Sequence, residues 1–133
     1  MKQKTFNGMR LLALCFTLLP SLLLGKIIEV KTLNDIDRSR PYVVEFYSPH
    51  CSHCKNMIAI YEKLSNNHPD VVFYRVNIQS DFENAKTIAG KVGVKKFGGI
   101  PHFVFVDAQG KVTDAKGERK LDELNAHVNV IKK

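Results

Sequence analysis

The run Tyr42-Val43-Val44-Glu45-Phe46-Tyr47 constrains the fold of this chain most. It is almost continuously apolar, starts directly after Pro41, and leads into a segment of helical spacing that opens at Cys51. A short apolar run of this kind suits a strand buried on both faces of a sheet, where no alternation with polar residues is needed. Such a strand needs a covering layer on each side. That requirement points to an α/β architecture.

The remaining elements fit around it. Ile27 to Val30 reads as a short strand, and Leu33 to Arg38 as a short helix with Thr32 or Asn34 as its cap. From Cys51 to about Asn66 the apolar residues Met57, Ile58, Ile60, Tyr61 and Leu64 fall at helical spacing, and His68-Pro69-Asp70 ends the segment. Val71 to Ile78 is strand-like, and Asp81 to about Val92 helix-like. Phe103 to Val106 is the next strand. The turn Asp107-Ala108-Gln109-Gly110 folds it back on a partner around Lys111 to Asp114, an antiparallel hairpin. A last amphipathic helix, roughly Glu118 to Ile131, puts Leu121, Leu124, Val128 and Ile131 on one face. The order β-α-β-α-β-α-β-β-α implies a central mixed sheet with helices on both faces.

The N-terminal part is of a different kind. Residues 1–25 carry Lys2, Lys4 and Arg10, then the apolar stretch Leu11 to Leu24, with no acidic residue. That is the layout of a secretory signal peptide, cut after Gly25; an uncleaved membrane tether is the alternative. The apolar stretch is shorter than the roughly 20 residues needed to span a bilayer, and Pro20 interrupts it. Residues 26–133 then form one domain, exported to the periplasm or the extracellular space, or to the secretory lumen in a eukaryote. Without Lys2, Lys4 and Arg10 the net charge falls from +7 to +4, and the remaining basic residues are scattered. No concentrated basic face is visible, so nucleic acid is not an expected partner. The mature domain is expected to be monomeric, with membrane contact only if the leader is retained.

Cys15 lies within the leader, which leaves Cys51 and Cys54 as the cysteines of the mature chain. A disulfide closing so small a ring is worth only roughly 2 kcal/mol, against about 3 for a fifteen-residue loop. The pair is therefore better suited to opening and closing than to stapling. At a strand–helix junction, free amides and the helix dipole favour a thiolate. Cys51 is then the attacking sulfur, and Cys54, one turn in, the resolving one. His53, between them, stabilises the reduced form if it is protonated or hydrogen-bonded, or is simply an exposed polar residue. Glu45 is a carboxylate in an apolar strand, costly to bury unless paired or protonated. It is expected beneath the helix start, where it exchanges protons with Cys54. The alternative is a solvent-facing edge position. Ile100-Pro101 precedes the Phe103 strand, where proline is tolerated; composition leaves its cis or trans state open.

Val44-Glu45-Phe46-Tyr47-Ser48-Pro49-His50-Cys51-Ser52-His53-Cys54-Lys55, together with Gly99-Ile100-Pro101, resembles the active-site segments of thioredoxin-fold proteins. The resemblance is greatest to the catalytic domains of protein disulfide isomerase and to small exported bacterial oxidoreductases. It covers essentially all of residues 26–133. It implies a thioredoxin fold, Cys51 as nucleophile, Cys54 as resolving cysteine, Glu45 at the buried acidic position, and Pro101 as a cis-proline facing the disulfide. Backbone groups at Ile100 would pair with a bound substrate chain. Several residues depart from the family pattern. His50 replaces tryptophan, Ser52 replaces glycine or proline, and His102 stands where threonine is common. The approach Val94 to Gly98 is about three residues longer than usual. Together His50, His53 and His102 would surround the disulfide and make its potential pH-sensitive.

The expected activity is thiol–disulfide exchange with cysteines of other proteins, in the oxidase or isomerase direction, with a redox partner that resets the site and no cofactor. A reductase kept reduced by a membrane partner is one alternative. A copper- or zinc-binding chaperone is another, disfavoured because a single Cys-x-x-Cys lacks a second ligand pair. No resident metal is expected.

Overall fold

The computed structural model describes residues 25–115 and 120–133. The leader expected over residues 1–25 lies outside the described residues except for Gly25, as do residues 116–119. Five strands, β1 (Ile27–Glu29), β2 (Tyr42–Tyr47), β3 (Val72–Asn77), β4 (His102–Val106) and β5 (Val112–Ala115), form one sheet in the order β1-β3-β2-β4-β5. β1 and β2 each run parallel to β3, whereas β2–β4 and β4–β5 are antiparallel. The sheet is therefore mixed, as the element order implies. β2 occupies its centre, which explains why Tyr42, Val43, Val44, Glu45 and Phe46 are all buried.

Period-two alternation on the strands feeds two separate cores. Tyr42, Val44, Phe46, Val104 and Val106 face Ala85, Ile88 and Ala89 of α3 (Phe82–Lys91). On the other face Val43, Phe73, Phe103 and Phe105 meet Met57, Tyr61 and Leu64, together with Leu124, Val128 and Ile131 of α4 (Leu121–Ile131). The helix expected from Cys51 is broken. α1 (Ser52–Asn56) ends at Met57, and α2 (Ile58–Asn67) continues beyond it. Leu33–Asp35 forms a single 3-10 turn, not the longer helix expected to Arg38. Its start is held by the Asp35 carboxylate, which accepts from the Lys31 and Thr32 amides at 2.8 and 2.9 Å.

Chain reversal after α3 depends on Gly93. Its φ is +101°, and a Cβ there would come within 2.6 Å of a Val112 methyl. Both observations require glycine. No helix among the described residues is long and apolar enough to cross a membrane.

Candidate active site

The β2–α1 connection places the two sulfurs. The Cys51 amide donates to the Ser48 carbonyl at 3.2 Å, and Cys51 then caps α1. Its Sγ accepts from the Cys54 amide at 3.1 Å. A helix-start amide is thus aimed at the sulfur that is to carry negative charge. Both cysteines are free thiols; Cys51 is half-buried and Cys54 is 2% exposed. Burial pushes the Cys54 thiol up to about 12, and the hydrogen bond with Cys51 and the charge of Glu45 push the same way. At neutral pH Cys54 is therefore a protonated thiol and needs a base before it can attack.

The Ile100–Pro101 bond is cis. The loop it belongs to brings the Ile100 carbonyl to 3.7 Å from Cys51 Sγ, where it accepts from the thiol. The two segments singled out in the sequence, forty-nine positions apart, thus meet at one sulfur.

Glu45 is 1% exposed, which removes the solvent-facing alternative. Burial raises its pKa, and Arg75 opposes the rise without cancelling it. Its Oε1 accepts from Arg75 Nε at 2.9 Å, while Oε2 has no hydrogen-bond partner among the described residues. An orphaned carboxylate oxygen away from water is a costly arrangement, and protonation relieves it. A small cavity of about 160 Å³ borders Glu45 and is lined also by Glu29, Glu62, Tyr61 and Arg75. By volume it has room for water between the carboxyl and the surface.

Arg75 is the residue that sequence reasoning missed. It is the direct register partner of Glu45 in the β2–β3 ladder. Its guanidinium also lies 3.9 Å from the centroid of the Tyr47 ring, whose hydroxyl donates to Glu29 at 2.6 Å. The signal was present: an arginine inside the strand-like run Val71 to Ile78 is as anomalous as Glu45 in its own.

The histidines divide. His50 and His53 are exposed beside Cys51, but His102 is 4% exposed and packs edge-on against Phe46 and Phe97 in the α3-side core. His102 thus faces the α3-side core, whereas His50 and His53 face solvent. The reason is strand alternation: His102 begins β4 on the same face as Val104 and Val106. Among the described residues, no group of three or more His, Cys, Asp or Glu side chains is gathered closely enough to hold a metal ion.

Comparison with known proteins agrees with this fold. A family model described as thioredoxin matches residues 29–130. Protein disulfide-isomerase 1 of Dictyostelium discoideum is 34% identical over 101 residues, covering 74% of this chain and 26% of that protein. The F-type chloroplastic thioredoxin of Spinacia oleracea is 30% identical over 112 residues, covering 78% of this chain and 56% of that one. This chain thus spans about a quarter of the disulfide-isomerase and about half of the chloroplastic thioredoxin. The crystal structure of the long form of spinach chloroplast thioredoxin f superposes with a TM-score of 0.65 at 24% identity, covering 84% of this chain and 90% of that one. With the fold, the paired cysteines and the family match in agreement, the chain belongs to the thioredoxin family.

Proposed function

We propose that this protein is an exported thiol–disulfide oxidoreductase that exchanges disulfides with cysteines of other proteins through Cys51 and Cys54, in the oxidase or isomerase direction. The observation that carries the reading is the asymmetry of the two sulfurs. Cys51 is accessible and receives an amide hydrogen bond, whereas Cys54 is buried and held protonated. Similarity to proteins named as disulfide isomerases supports the same chemistry.

In the reducing half-cycle the Cys51 thiolate attacks one sulfur of a client disulfide. That S–S bond breaks, a Cys51–client disulfide forms, and the departing client sulfur takes up a proton. The Cys54 thiol then passes its proton to Glu45 and attacks Cys51 Sγ. The client leaves with both of its sulfurs reduced, and the Cys51–Cys54 pair is oxidised by two electrons. Oxidation of a client runs the same steps backwards. Glu45 is suited to the proton transfer because burial holds its affinity for the proton high. The cavity beside it provides the route by which that proton reaches solvent. We assign the client-facing rim to exposed His50 and half-buried Ile100, with the Ile100 carbonyl already beside the nucleophile and Pro101 buried behind it. In this reading His53, exposed on the first turn, stabilises the thiolate form when protonated.

The reduction potential of the Cys51–Cys54 pair decides the direction. A value less negative than about −230 mV, in the range of isomerases and glutaredoxins, is expected. A value near −270 mV, that of a strongly reducing thioredoxin, would overturn the oxidase or isomerase direction and favour the reductase.

A further inference from the structure

The loop that carries Pro101 has a second role on the α3 side of the sheet. Between α3 and residues 93–97 lies an open groove of about 670 Å³. Its floor is apolar, formed by Phe82, Val94 and Phe97, and its rim carries Lys86, Lys95 and Lys96. No acidic side chain lines it. Phe82 is 50% exposed, unusual for so large an apolar ring, and Lys86 Nζ stands 5.6 Å from the centroid of that ring. Lys86 also pairs with Glu83 at 3.3 Å, so Lys95 and Lys96 dominate the field over the groove.

The last residue lining the groove lies close in the chain to the residue that touches the reactive sulfur. Phe97 lines the groove, and Ile100, three residues on, contacts Cys51. Along the chain that separation is at most about 11 Å. The intervening Gly98 and Gly99 carry no side chain, and a Cβ at either would meet nothing within 4 Å. The approach segment from Gly93 to Phe97 builds one wall of the groove.

We propose that the groove docks the part of a client polypeptide flanking its reactive cysteine, and that it selects segments in which apolar or aromatic side chains are interspersed with Asp and Glu. The inference rests on the exchange reading above and adds the class of client. Charge argues against the other occupants. The chain's own residues 1–24 are apolar but carry Lys2, Lys4 and Arg10 and no acidic residue, and a second copy brings a net charge of +7. Both would be repelled by the lysine rim. An acidic and apolar segment satisfies rim and floor together.

The test uses a short fluorescent peptide of alternating Glu and Phe with no cysteine, and a version of it ending in a mixed disulfide. The chain is compared with a Lys86→Glu/Lys95→Glu/Lys96→Glu variant, which alters exposed positions outside the thiol site. Anisotropy should show the acidic peptide bound about tenfold more weakly by the variant, with binding by the unaltered protein falling as salt is raised. The exchange rate with a small uncharged disulfide, bis(2-hydroxyethyl) disulfide, should be the same for both proteins. Equal affinity of the two proteins for the acidic peptide would overturn the groove proposal, as would tighter binding of a peptide copying residues 1–24. If neither protein exchanges with that uncharged disulfide but the charge-dependent binding remains, the exchange reading fails and the groove stands.

Discussion

Arg75 Nε donates to Glu45 Oε1 at 2.9 Å across the β2–β3 ladder, joining the two charged side chains that interrupt otherwise apolar strands. The pair is unequal. Glu45 is buried with one oxygen orphaned, while Arg75 keeps 23% of its side chain in solvent and rests on the Tyr47 ring. The carboxylate therefore bears most of the desolvation cost, and its pKa rises although a cation stands beside it.

Replacing Glu45 with Gln should stabilise the protein near neutral pH by about 1 kcal/mol, because the cost of the orphaned charge disappears. The folded-state pKa lies above the unfolded one. The native carboxyl therefore favours folding fully only below about pH 4.3, and that contribution is lost as pH rises through the folded value. Urea unfolding at pH 7.5 and at pH 4 should show the advantage of the Gln variant at the first and little of it at the second. The same variant should slow the second step of exchange and leave the first unchanged, since only Cys54 needs the base.

Arg75→Met should act in the opposite sense. Removing the cation leaves Glu45 with no charge partner, a loss of about 3 kcal/mol near neutral pH that shrinks as Glu45 is protonated in acid. Unfolding of the single variants and of the Glu45→Gln/Arg75→Met double variant measures the coupling. The double variant should recover most of what Arg75→Met loses.

Labelling of the reduced protein with iodoacetamide should give one adduct, on Cys51, throughout pH 6 to 9. Burial and the pKa of about 12 keep Cys54 as an unreactive thiol over that range. Peptide mapping by mass spectrometry reads the site. Equal labelling of both cysteines would contradict the assigned order of attack.

Tyr61→Phe measures the scaffold. The buried hydroxyl donates to the Tyr74 carbonyl at 2.7 Å, and its loss should cost about 1 kcal/mol in stability, read by urea unfolding.

Much of this arrangement was readable from residues near one another in the chain. The run Tyr42 to Tyr47 announced a doubly buried strand, and the strand has those limits. The Asp107-Ala108-Gln109-Gly110 turn gave the hairpin, with its second strand displaced by one residue to Val112–Ala115. What was not readable depends on register and alternation between distant segments. Arg75 faces Glu45 because β2 and β3 pair in one particular register, which no local pattern states. His102 turns into the core because β4 begins one residue earlier than its apolar run suggests. The break at Met57 interrupts a segment whose apolar spacing is helical throughout, so periodicity gives no sign of it.

The most direct test of the account is to trap the intermediate. A Cys54→Ala variant has no resolving sulfur, so incubation with an unfolded, disulfide-containing client should accumulate a one-to-one covalent complex that reductant releases, with the client joined to Cys51. Non-reducing mass measurement reads it directly. The account predicts that complex for Cys54→Ala and its absence for Cys51→Ala. No covalent complex with Cys54→Ala, or an equal yield from both variants, would contradict it.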